Sequence, residues 1–348
     1  MNALNRKTLR LSTSEEDIEK AGQIIRNGGL VAFPTETVYG LGADALNEKA
    51  VKSIYLAKGR PSDNPMIVHI SDFSELDELI DASKLTEIHK LLMDKFWPGP
   101  ITFVFKKSVK VPYTTTGGLE TVGIRMPSDI VARKFISSSG RPIAAPSANI
   151  SGRPSPTTYK DVLEDMDGRI DAVIKGSCSD VGIESTVLDL TGKIPTILRP
   201  GYITAELIYE ITGIEVAVDP ALLGTPDADF RPKAPGMKYK HYSPRAEVII
   251  VDSSSLENEK NSNNETKFSQ SESIKKILEK AERADRVVEI VDYNGDSKKA
   301  AHEFFARLRD CDRRGVDIIL VKALDDKGLG FSVMNRMMKS AGYSVVHI

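Results

Sequence analysis

The residues with the clearest chemistry are two cations in the segment AKGRPSDNP (57–65). Lys58 and Arg60 flank a glycine, and the proline after Arg60 favours an extended backbone there. Side chains two residues apart in an extended chain point to the same side, so the pair predicts a clamp for a polyphosphate. Most Lys-x-Arg runs are merely solvated, and for this motif alone that alternative stays open.

A loop with hydroxyl and amide groups is expected within PIAAPSANISGRPSPT (142–157). Ser147, Asn149 and Ser151 follow an apolar stretch typical of a buried strand, in a segment punctuated by Pro and Gly. The spacing does not match a serine-hydrolase nucleophile elbow, which needs G-x-S-x-G and a histidine partner. These side chains therefore predict hydrogen bonds to phosphate or ribose, and not nucleophiles.

Further polar groups lie beside predicted strands, where α/β sheets bind ligands. The loop PTETVYG (34–40) offers two hydroxyls and a carboxylate to a small ligand, with a capped turn as the alternative. Arg125 ends a predicted strand and suits bidentate carboxylate binding, while Ser185 and Arg199 add a hydroxyl and a cation. His69 lies within a predicted strand, where a lone histidine is more often a core residue than a ligand.

Several classes of site are disfavoured by the sequence. GLGADA (40–45) matches G-x-G-x-x-A, but PTETVY separates it from its strand, so a dinucleotide fingerprint is not expected. No phosphate-binding G-x-x-x-x-G-K-[ST] motif occurs. The five histidines share no metal-ligand spacing with one another or with the two cysteines, which disfavours zinc. A net charge of −2 provides no global basic field for nucleic acid.

The polar segments need sheets to position them, and the patterns predict two α/β domains. Over the first 210 or so residues, runs rich in β-branched residues alternate with helical patterns, which is typical of a mixed sheet. The strands predicted there are 30–33, 66–70, 101–105, 121–126, 142–145, 171–174 and 185–190, and the helices are one from residue 14 and three over 47–57, 84–96 and 128–138.

Towards the C-terminus, strands and helices alternate strictly, which predicts a smaller doubly wound, Rossmann-like α/β domain. Its predicted strands are 248–251, 286–291, 317–321 and the final YSVVHI, and its helices are 272–283, 297–313 and 329–340. We expect a catalytic domain over 1–215, an interdomain linker or lid over 216–245 and the second domain over 246–348.

The composition of the 348-residue chain is that of a soluble globular protein, with 41% hydrophobic and 28% charged residues. Two cysteines far apart in sequence cannot form a disulfide framework and fit a reducing compartment. No signal-peptide core and no apolar stretch of about 18 residues is seen. We therefore expect a cytoplasmic location and no membrane partner.

Six segments, in order along the chain, resemble the YrdC-type threonylcarbamoyl-AMP synthases. They are PTETVYGLGADA, KGRPSDNPMIVHI, WPGPITFVF, TVGIRMPSD, APSANISGRPSPT and GIESTVLDL. ILRPG, APGMKYKHYSP and the α/β tail resemble the longer, two-domain members, so the resemblance covers nearly the whole chain. It implies a twisted open mixed sheet with a basic concave site. It also implies an enzyme that makes threonylcarbamoyl-adenylate and pyrophosphate from L-threonine, bicarbonate and ATP, with Mg²⁺ carried by ATP.

The resemblance also implies partners and residue roles. Downstream transferase proteins would attach the threonylcarbamoyl group to the adenosine beside the anticodon of tRNA, and weak direct tRNA binding is left open. The L-threonine site would comprise Thr35, Thr37, His69, Arg125, Ala145 and Ser185. The ATP site would comprise Lys58, Arg60, Asn64, Thr121, Ser147, Asn149, Ser155, Arg199, His241 and Tyr242, with Lys58 and Arg60 as the catalytic pair.

The segment APGMKYKHYSP (234–244) carries aromatic and cationic residues that a plain tether does not need. We interpret it as a gating linker that closes over the site, with His241 and Tyr242 expected to touch ATP. Two alternatives share the fold: an RNA-binding protein and a carbamoyl-transfer domain of the hydrogenase-maturation type. For the C-terminal domain we expect a regulatory, docking or assembly role.

Overall fold

The computed structural model describes residues 7–222, 233–235, 242–252 and 271–348, and it divides into two compact units. The first unit is Met1–Ser151 with Ser155–Tyr239, and the second is Gly152–Pro154 with Lys240–Ile348.

The first unit is built on a mixed sheet in which both parallel and antiparallel pairs occur, as predicted. Its strands are β1 (Leu9–Leu11), β2 (Val31–Phe33), β3 (Gly40–Asp44), β4 (Ile67–His69), β5 (Ile101–Lys106), β6 (Thr121–Arg125), β7 (Ile143–Ala144), β8 (Ala172–Ile174), β9 (Thr186–Asp189), β10 (Thr196–Arg199) and β11 (Ala217–Val218). Their order across the sheet is β1-β8-β2-β3-β7-β4-β6-β5-β9-β10-β11. Neighbours in this sheet are therefore often distant in sequence, which brings separate loops together.

Helices cover the sheet. They are α1 (Glu15–Arg26), α2 (Glu48–Lys58), α3 (Leu76–Leu79), α4 (Glu87–Phe96), α5 (Tyr113–Thr116), α6 (Ile130–Ser139), α7 (Tyr159–Met166) and α8 (Ala205–Thr212), with short 3₁₀ turns at Phe73–Glu75, Ala82–Lys84 and Pro220–Leu222. The N-cap hydroxyl of Ser14 accepts a hydrogen bond from Asp17 N–H, and α1 buries Ile18, Ala21 and Ile25 as its spacing predicts.

Every strand and helix predicted for the first unit is present, with bounds that differ by a few residues. The sequence patterns did not predict eight further strands and helices among the described residues of this unit, which are β1, β3, β10, β11, α3, α5, α7 and α8. β3 is the informative case because it contains GLGADA, the segment that mimics a dinucleotide motif. A Cβ on Gly42 would lie 2.7 Å from Cγ2 of Ile143 in the neighbouring strand, so this glycine serves close strand packing.

Two apolar clusters on one face of the sheet frame the region that carries the polar residues. The first contains residues of α1 and α6 together with Phe33 of β2. The second is formed by Ile67, Val104, Val187, Leu198 and Ala234. Ala234 is 1% exposed, so one residue of the predicted linker is anchored in the first unit. β11, which pairs with β10, also falls within the predicted linker range.

The second unit has a four-stranded sheet in which all pairs are parallel, which confirms the predicted smaller α/β domain. Its strands are β12 (Glu247–Asp252), β13 (Val288–Val291), β14 (Ile318–Lys322) and β15 (Val345–His347), in the order β13-β14-β12-β15, and its helices are α9 (Glu272–Arg283), α10 (Ser297–Arg314) and α11 (Gly328–Ser340). Within this unit Arg309, 1% exposed, donates a hydrogen bond to the carbonyl of Pro154 at 2.6 Å.

Candidate active site

A buried polar cluster surrounds Arg125, the last residue of β6. Its guanidinium donates to the Thr37 hydroxyl at 2.7 Å and makes an ion pair with Glu36 at 2.8 Å. The hydroxyls of Thr37 and Thr35 lie 2.9 Å apart, and Thr35 also donates to the Val38 carbonyl at 2.7 Å. Hydrogen bonds of the threonine hydroxyls therefore stabilise the loop between β2 and β3, and a charged hydrogen bond joins this loop to β6.

His69 is the last residue of β4 and is the register partner of Arg125 in β6 and of Ile143 in β7. It is 4% exposed, and its ring meets that of Phe33 edge-on, with the centroids 6.0 Å apart. Burial, and then the charge of Arg125, lowers the pKa of His69 to about 3, so the imidazole is neutral at physiological pH. Its Nδ1 has no hydrogen-bond partner within the described residues, which leaves one ring nitrogen for a ligand.

The low pKa of His69 predicts a pH dependence of stability. Below about pH 6.5 an unfolded chain binds a proton at this histidine that the folded chain does not bind, so stability falls as the pH decreases from 6.5 towards 3. We expect His69→Asn to remove up to about 1.4 kcal/mol per pH unit from the slope of unfolding free energy in this range. Urea unfolding at pH 5, 6 and 7.5 measures that slope, and parallel curves for the two proteins would contradict the assignment.

Ser185, just before β9, and Arg199, in the neighbouring β10, form a second polar cluster. Arg199 ends β10, and its guanidinium donates to both the carbonyl and the hydroxyl of Ser185 at 3.0 Å. The Ser185 hydroxyl also lies 2.8 Å from that of Thr102 in β5. A third donor of Arg199 reaches the carbonyl of Pro235 at 3.5 Å, so this arginine contacts the described part of the linker.

Lys58 is the last residue of α2, and the expectation that it shares an extended segment with Arg60 is wrong. Gly59 adopts a left-handed conformation with φ of 62° and ends the helix, so the chain changes direction between the two cations. Lys58 is 2% exposed and its ammonium donates to the carbonyls of Ser147 and Asn149. Arg60, half-buried, donates to the carbonyl of Pro65 at 3.1 Å.

The loop after β7 is organised by its own polar side chains. The Ser147 hydroxyl donates to the side-chain oxygen of Asn149 at 2.5 Å, and the Asn149 amide donates to the Ile150 carbonyl at 2.8 Å. Ser155, fully buried, donates to the Glu184 carboxylate at 2.6 Å. Lys58 therefore binds the backbone of the same loop whose side chains are predicted to bind ATP.

The remaining predicted residues are less tightly connected. Ala145 is 5% exposed and its N–H donates to the Ile67 carbonyl, and Thr121 is the half-buried first residue of β6. Asn64 is 2% exposed, and within the described residues its side-chain oxygen has no partner. His241 lies outside the described residues. Tyr242 is 5% exposed with its ring 5.0 Å from that of Phe305 in the second unit, and its predicted contact with ATP stays a prediction.

Side-chain contacts in the structure do not follow the division of the predicted residues into a threonine set and an ATP set. Thr35, Thr37, His69 and Arg125 come together, whereas Ser185 is bound to Arg199, a residue predicted for ATP. The sequence offered the carboxylate of Glu36 to a small ligand but did not predict its pairing with Arg125, and it assigned no role to the buried Glu184 or Thr102. Both acids lie inside segments singled out from the sequence, PTETVYG and GIESTVLDL, where an acid next to a hydroxyl residue was the available signal.

The described residues contain no group of three or more His, Cys, Asp or Glu side chains placed to hold a metal ion. Among the helices of the described part, none is both long and apolar enough to cross a membrane.

Comparisons with known proteins define the class of both units. Residues 23–201 match the family model described as Telomere recombination, which groups Sua5, YciO and YrdC proteins, and residues 203–342 match Threonylcarbamoyl-AMP synthase, C-terminal domain. The chain is thus a two-domain protein that joins a YrdC-like unit to a Sua5-type C-terminal unit.

Full-length relatives narrow the class. A threonylcarbamoyl-AMP synthase of Pyrococcus abyssi is 46% identical over 347 residues, 98% of each chain, and one of Bacillus subtilis is 43% identical over 97% of each. The crystal structure of P. abyssi Sua5 with L-threonine superposes with a TM-score of 0.88 at 43% identity, covering 98% of this chain and 99% of that one. The chain belongs to the threonylcarbamoyl-AMP synthase family.

Proposed function

We propose that this protein makes L-threonylcarbamoyl-AMP and pyrophosphate from L-threonine, bicarbonate and ATP, as an enzyme of tRNA modification. The observation that carries the proposal is the buried Arg125 guanidinium, held beside two threonine hydroxyls and a neutral histidine. Such a site suits a small amino acid with a carboxylate and a hydroxyl. Support comes from the similarity to full-length threonylcarbamoyl-AMP synthases and to a relative crystallised with L-threonine.

The proposed chemistry has two bond-forming steps. The neutral amine of threonine attacks the carbon of bicarbonate and water leaves, which gives an N-carboxylate. An oxygen of that group then attacks the α-phosphorus of ATP, the bond to the β-phosphate oxygen breaks, and pyrophosphate leaves with the electron pair. Both steps need positioned substrates and compensation of negative charge, and neither needs a protein nucleophile.

The polar cluster around Arg125 is assigned to threonine. Arg125 binds the threonine carboxylate, while the hydroxyls of Thr35 and Thr37 and the free Nδ1 of His69 orient the rest of the molecule. A histidine with a pKa of about 3 accepts hydrogen bonds at neutral pH but is not an effective general acid there.

ATP is assigned to the cationic side of the site. Lys58 and Arg60 supply positive charge to the phosphates, Lys58 also holds the Ser147–Asn149 loop, and Arg199 contributes the cation beside Ser185. Mg²⁺ belongs to this proposal as an ion that arrives with ATP, since phosphate oxygens are its preferred ligands. The downstream transferase proteins, direct tRNA binding and a cytoplasmic location are also kept as predictions.

The test of the function is a substrate-omission experiment. We expect pyrophosphate release to require threonine and bicarbonate together with ATP, and the product to have the mass of threonylcarbamoyl-adenylate. Pyrophosphate is quantified in reactions that lack one substrate at a time, with D-threonine as the matched control substrate. ATP turnover that proceeds equally without threonine would refute the proposal, and salt-sensitive tRNA retention without turnover would favour the RNA-binding alternative.

A further inference from the structure

Glu36 is a buried carboxylate that the sequence offered directly to a small ligand and to which the proposed reaction gives no role. It lies between Thr35 and Thr37 in the loop from β2 to β3 and is 7% exposed. One carboxylate oxygen makes the ion pair with Arg125 at 2.8 Å, and the other accepts a hydrogen bond from Ser128 N–H at 3.1 Å. A buried acid is retained in folded proteins when it is paired, and Glu36 is paired on both oxygens.

The contacts of Arg125 show that its orientation depends on this pair. Its three nitrogens are directed at three different groups: Nε at the Gly99 carbonyl, 3.4 Å away, one terminal nitrogen at Thr37, and the other at Glu36. The contact with Gly99 is long and the one with Thr37 is to a neutral hydroxyl, so within the described residues Glu36 is the only partner of opposite charge that Arg125 has. A planar guanidinium with one charged partner is fixed in rotation by that partner.

Glu36 also links the substrate loop to two other segments. Its backbone carbonyl accepts a hydrogen bond from Val181 N–H at 2.8 Å, and its side chain binds the backbone of Ser128, just after β6. The loop that carries Thr35 and Thr37 is therefore held at one point against both β6 and the segment that leads to β9. Burial alone would raise the pKa of Glu36, but the charge and hydrogen bonds of Arg125 and the Ser128 N–H outweigh it, so the pKa is lowered and the group stays ionised.

The Glu36 oxygen and the Arg125 terminal nitrogen that form the ion pair are both buried, and neither has a hydrogen-bond partner within the described residues, so charge attraction across 2.8 Å holds them together. The contacts of the carboxylate are thus with the arginine and with the backbone of Ser128. We propose that Glu36 is a positioning residue that holds Arg125 in the orientation required to bind the carboxylate of an α-amino acid. This inference rests on the proposed function and deepens it by naming the group that sets affinity for threonine.

The test is Glu36→Gln, which keeps the size of the side chain and an acceptor for Ser128 N–H but removes the charge. Calorimetric titration with L-threonine in the absence of ATP should show affinity reduced by about 10-fold to 100-fold, the range for a lost charged hydrogen bond. In steady-state assays the KM for threonine should rise while the KM for ATP changes by less than about twofold, because the change acts on one substrate.

A double-mutant cycle separates positioning from direct binding. If Glu36 acts through Arg125, Glu36→Gln should have no further effect on threonine affinity in an Arg125→Gln background. Additive losses would mean that Glu36 contacts the substrate itself and would overturn the positioning role. The matched control is Glu19→Gln, which removes an exposed ion pair with Arg26 in the same unit and should leave threonine affinity unchanged.

The outcomes for the inference and for the function differ. If the wild-type chain binds no threonine and releases no pyrophosphate, the proposed function fails. If the wild type is active and Glu36→Gln binds threonine with wild-type affinity, only the positioning role fails. Thermal unfolding verifies that each variant is folded. If Glu36→Gln is not, Glu36→Asp takes its place: it keeps the charge on a shorter side chain, and unchanged threonine affinity in that variant would also overturn the role.

Discussion

Lys58→Ala is expected to lower product formation by about 10²–10³-fold, the range for loss of one preorganised electrostatic group from an active site. Two effects of the substitution combine. It removes a positive charge that is assigned to the ATP phosphates, and it leaves the carbonyls of Ser147 and Asn149 without the ammonium that binds them. Because the loop after β7 carries further residues assigned to ATP, we expect the KM for ATP to rise together with the loss of kcat.

The control for Lys58→Ala is Lys52→Ala on the same helix. Lys52 has a 62% exposed side chain and pairs with Glu48 only across one helical turn, so its removal should change activity by less than about twofold. Single-turnover formation of the AMP-linked product compares the two variants directly. Equal activity of Lys58→Ala and wild type would contradict both the assignment of this ammonium to the ATP phosphates and its support of the loop.

Lys58 also shows what the sequence predicted and what it did not. The types and spacing of two cations around a glycine predicted a polyphosphate clamp, which stays a prediction, but the extended conformation expected for both was wrong. The reason is Gly59, which ends α2 in a left-handed conformation, and a Gly at this position is an ordinary helix stop. The conformational preference imposed by Pro61 acts on Arg60 alone and does not reach back to Lys58.

The strands were predictable where the chain is apolar and β-branched, as in β5, β6 and β12, because such segments are buried on both faces. β3 was missed because glycine is uncommon in strands, and its glycines are needed for packing contacts that only the tertiary structure defines. α7 and α8 were missed although both have Thr N-caps, since the sequence reading followed apolar spacing and these helices are only eight residues long.

Within the site, sequence identified side chains that could bind ligands but not how they bind one another. Arg125 was singled out because it ends a predicted strand, whereas a ligand role for His69 was implied only by the resemblance. Their register pairing across β4 and β6 explains why the two residues are neighbours. Glu36 was expected to face a ligand, and its pairing with Arg125 was not predicted because the two residues are 89 positions apart in the chain. Glu184 and Ser155 form a similar long-range pair, and no local pattern predicts such a contact. The lid role of His241 and Tyr242 stays a prediction.

Arg125→Met is expected to lower the free energy of unfolding by about 3–5 kcal/mol, because it leaves Glu36 buried and without its partner of opposite charge. Threonine binding should be lost as well, since methionine offers no donor to a carboxylate. The double variant Arg125→Met, Glu36→Leu replaces both charges by apolar groups, and such replacements are often neutral or stabilising. We therefore expect the double variant to recover most of the lost stability and none of the threonine affinity. Urea unfolding and calorimetric titration measure the two quantities separately.

The stability effect should also depend on pH, with a sign set by Glu36. Its pKa is lowered in the folded chain, so the ion pair contributes stability at pH values above the ordinary glutamate pKa of 4.5, and this contribution is lost as the pH falls through the folded value. The gap in unfolding free energy between wild type and Arg125→Met should accordingly narrow in acid. A double variant that is as unstable as the single one at pH 7 would mean that the pair does more than neutralise charge in this fold. If the double variant still binds threonine, Arg125 does not belong to the threonine site. If it recovers stability but does not bind threonine, the contribution of the pair to stability is distinct from the contribution of Arg125 to binding.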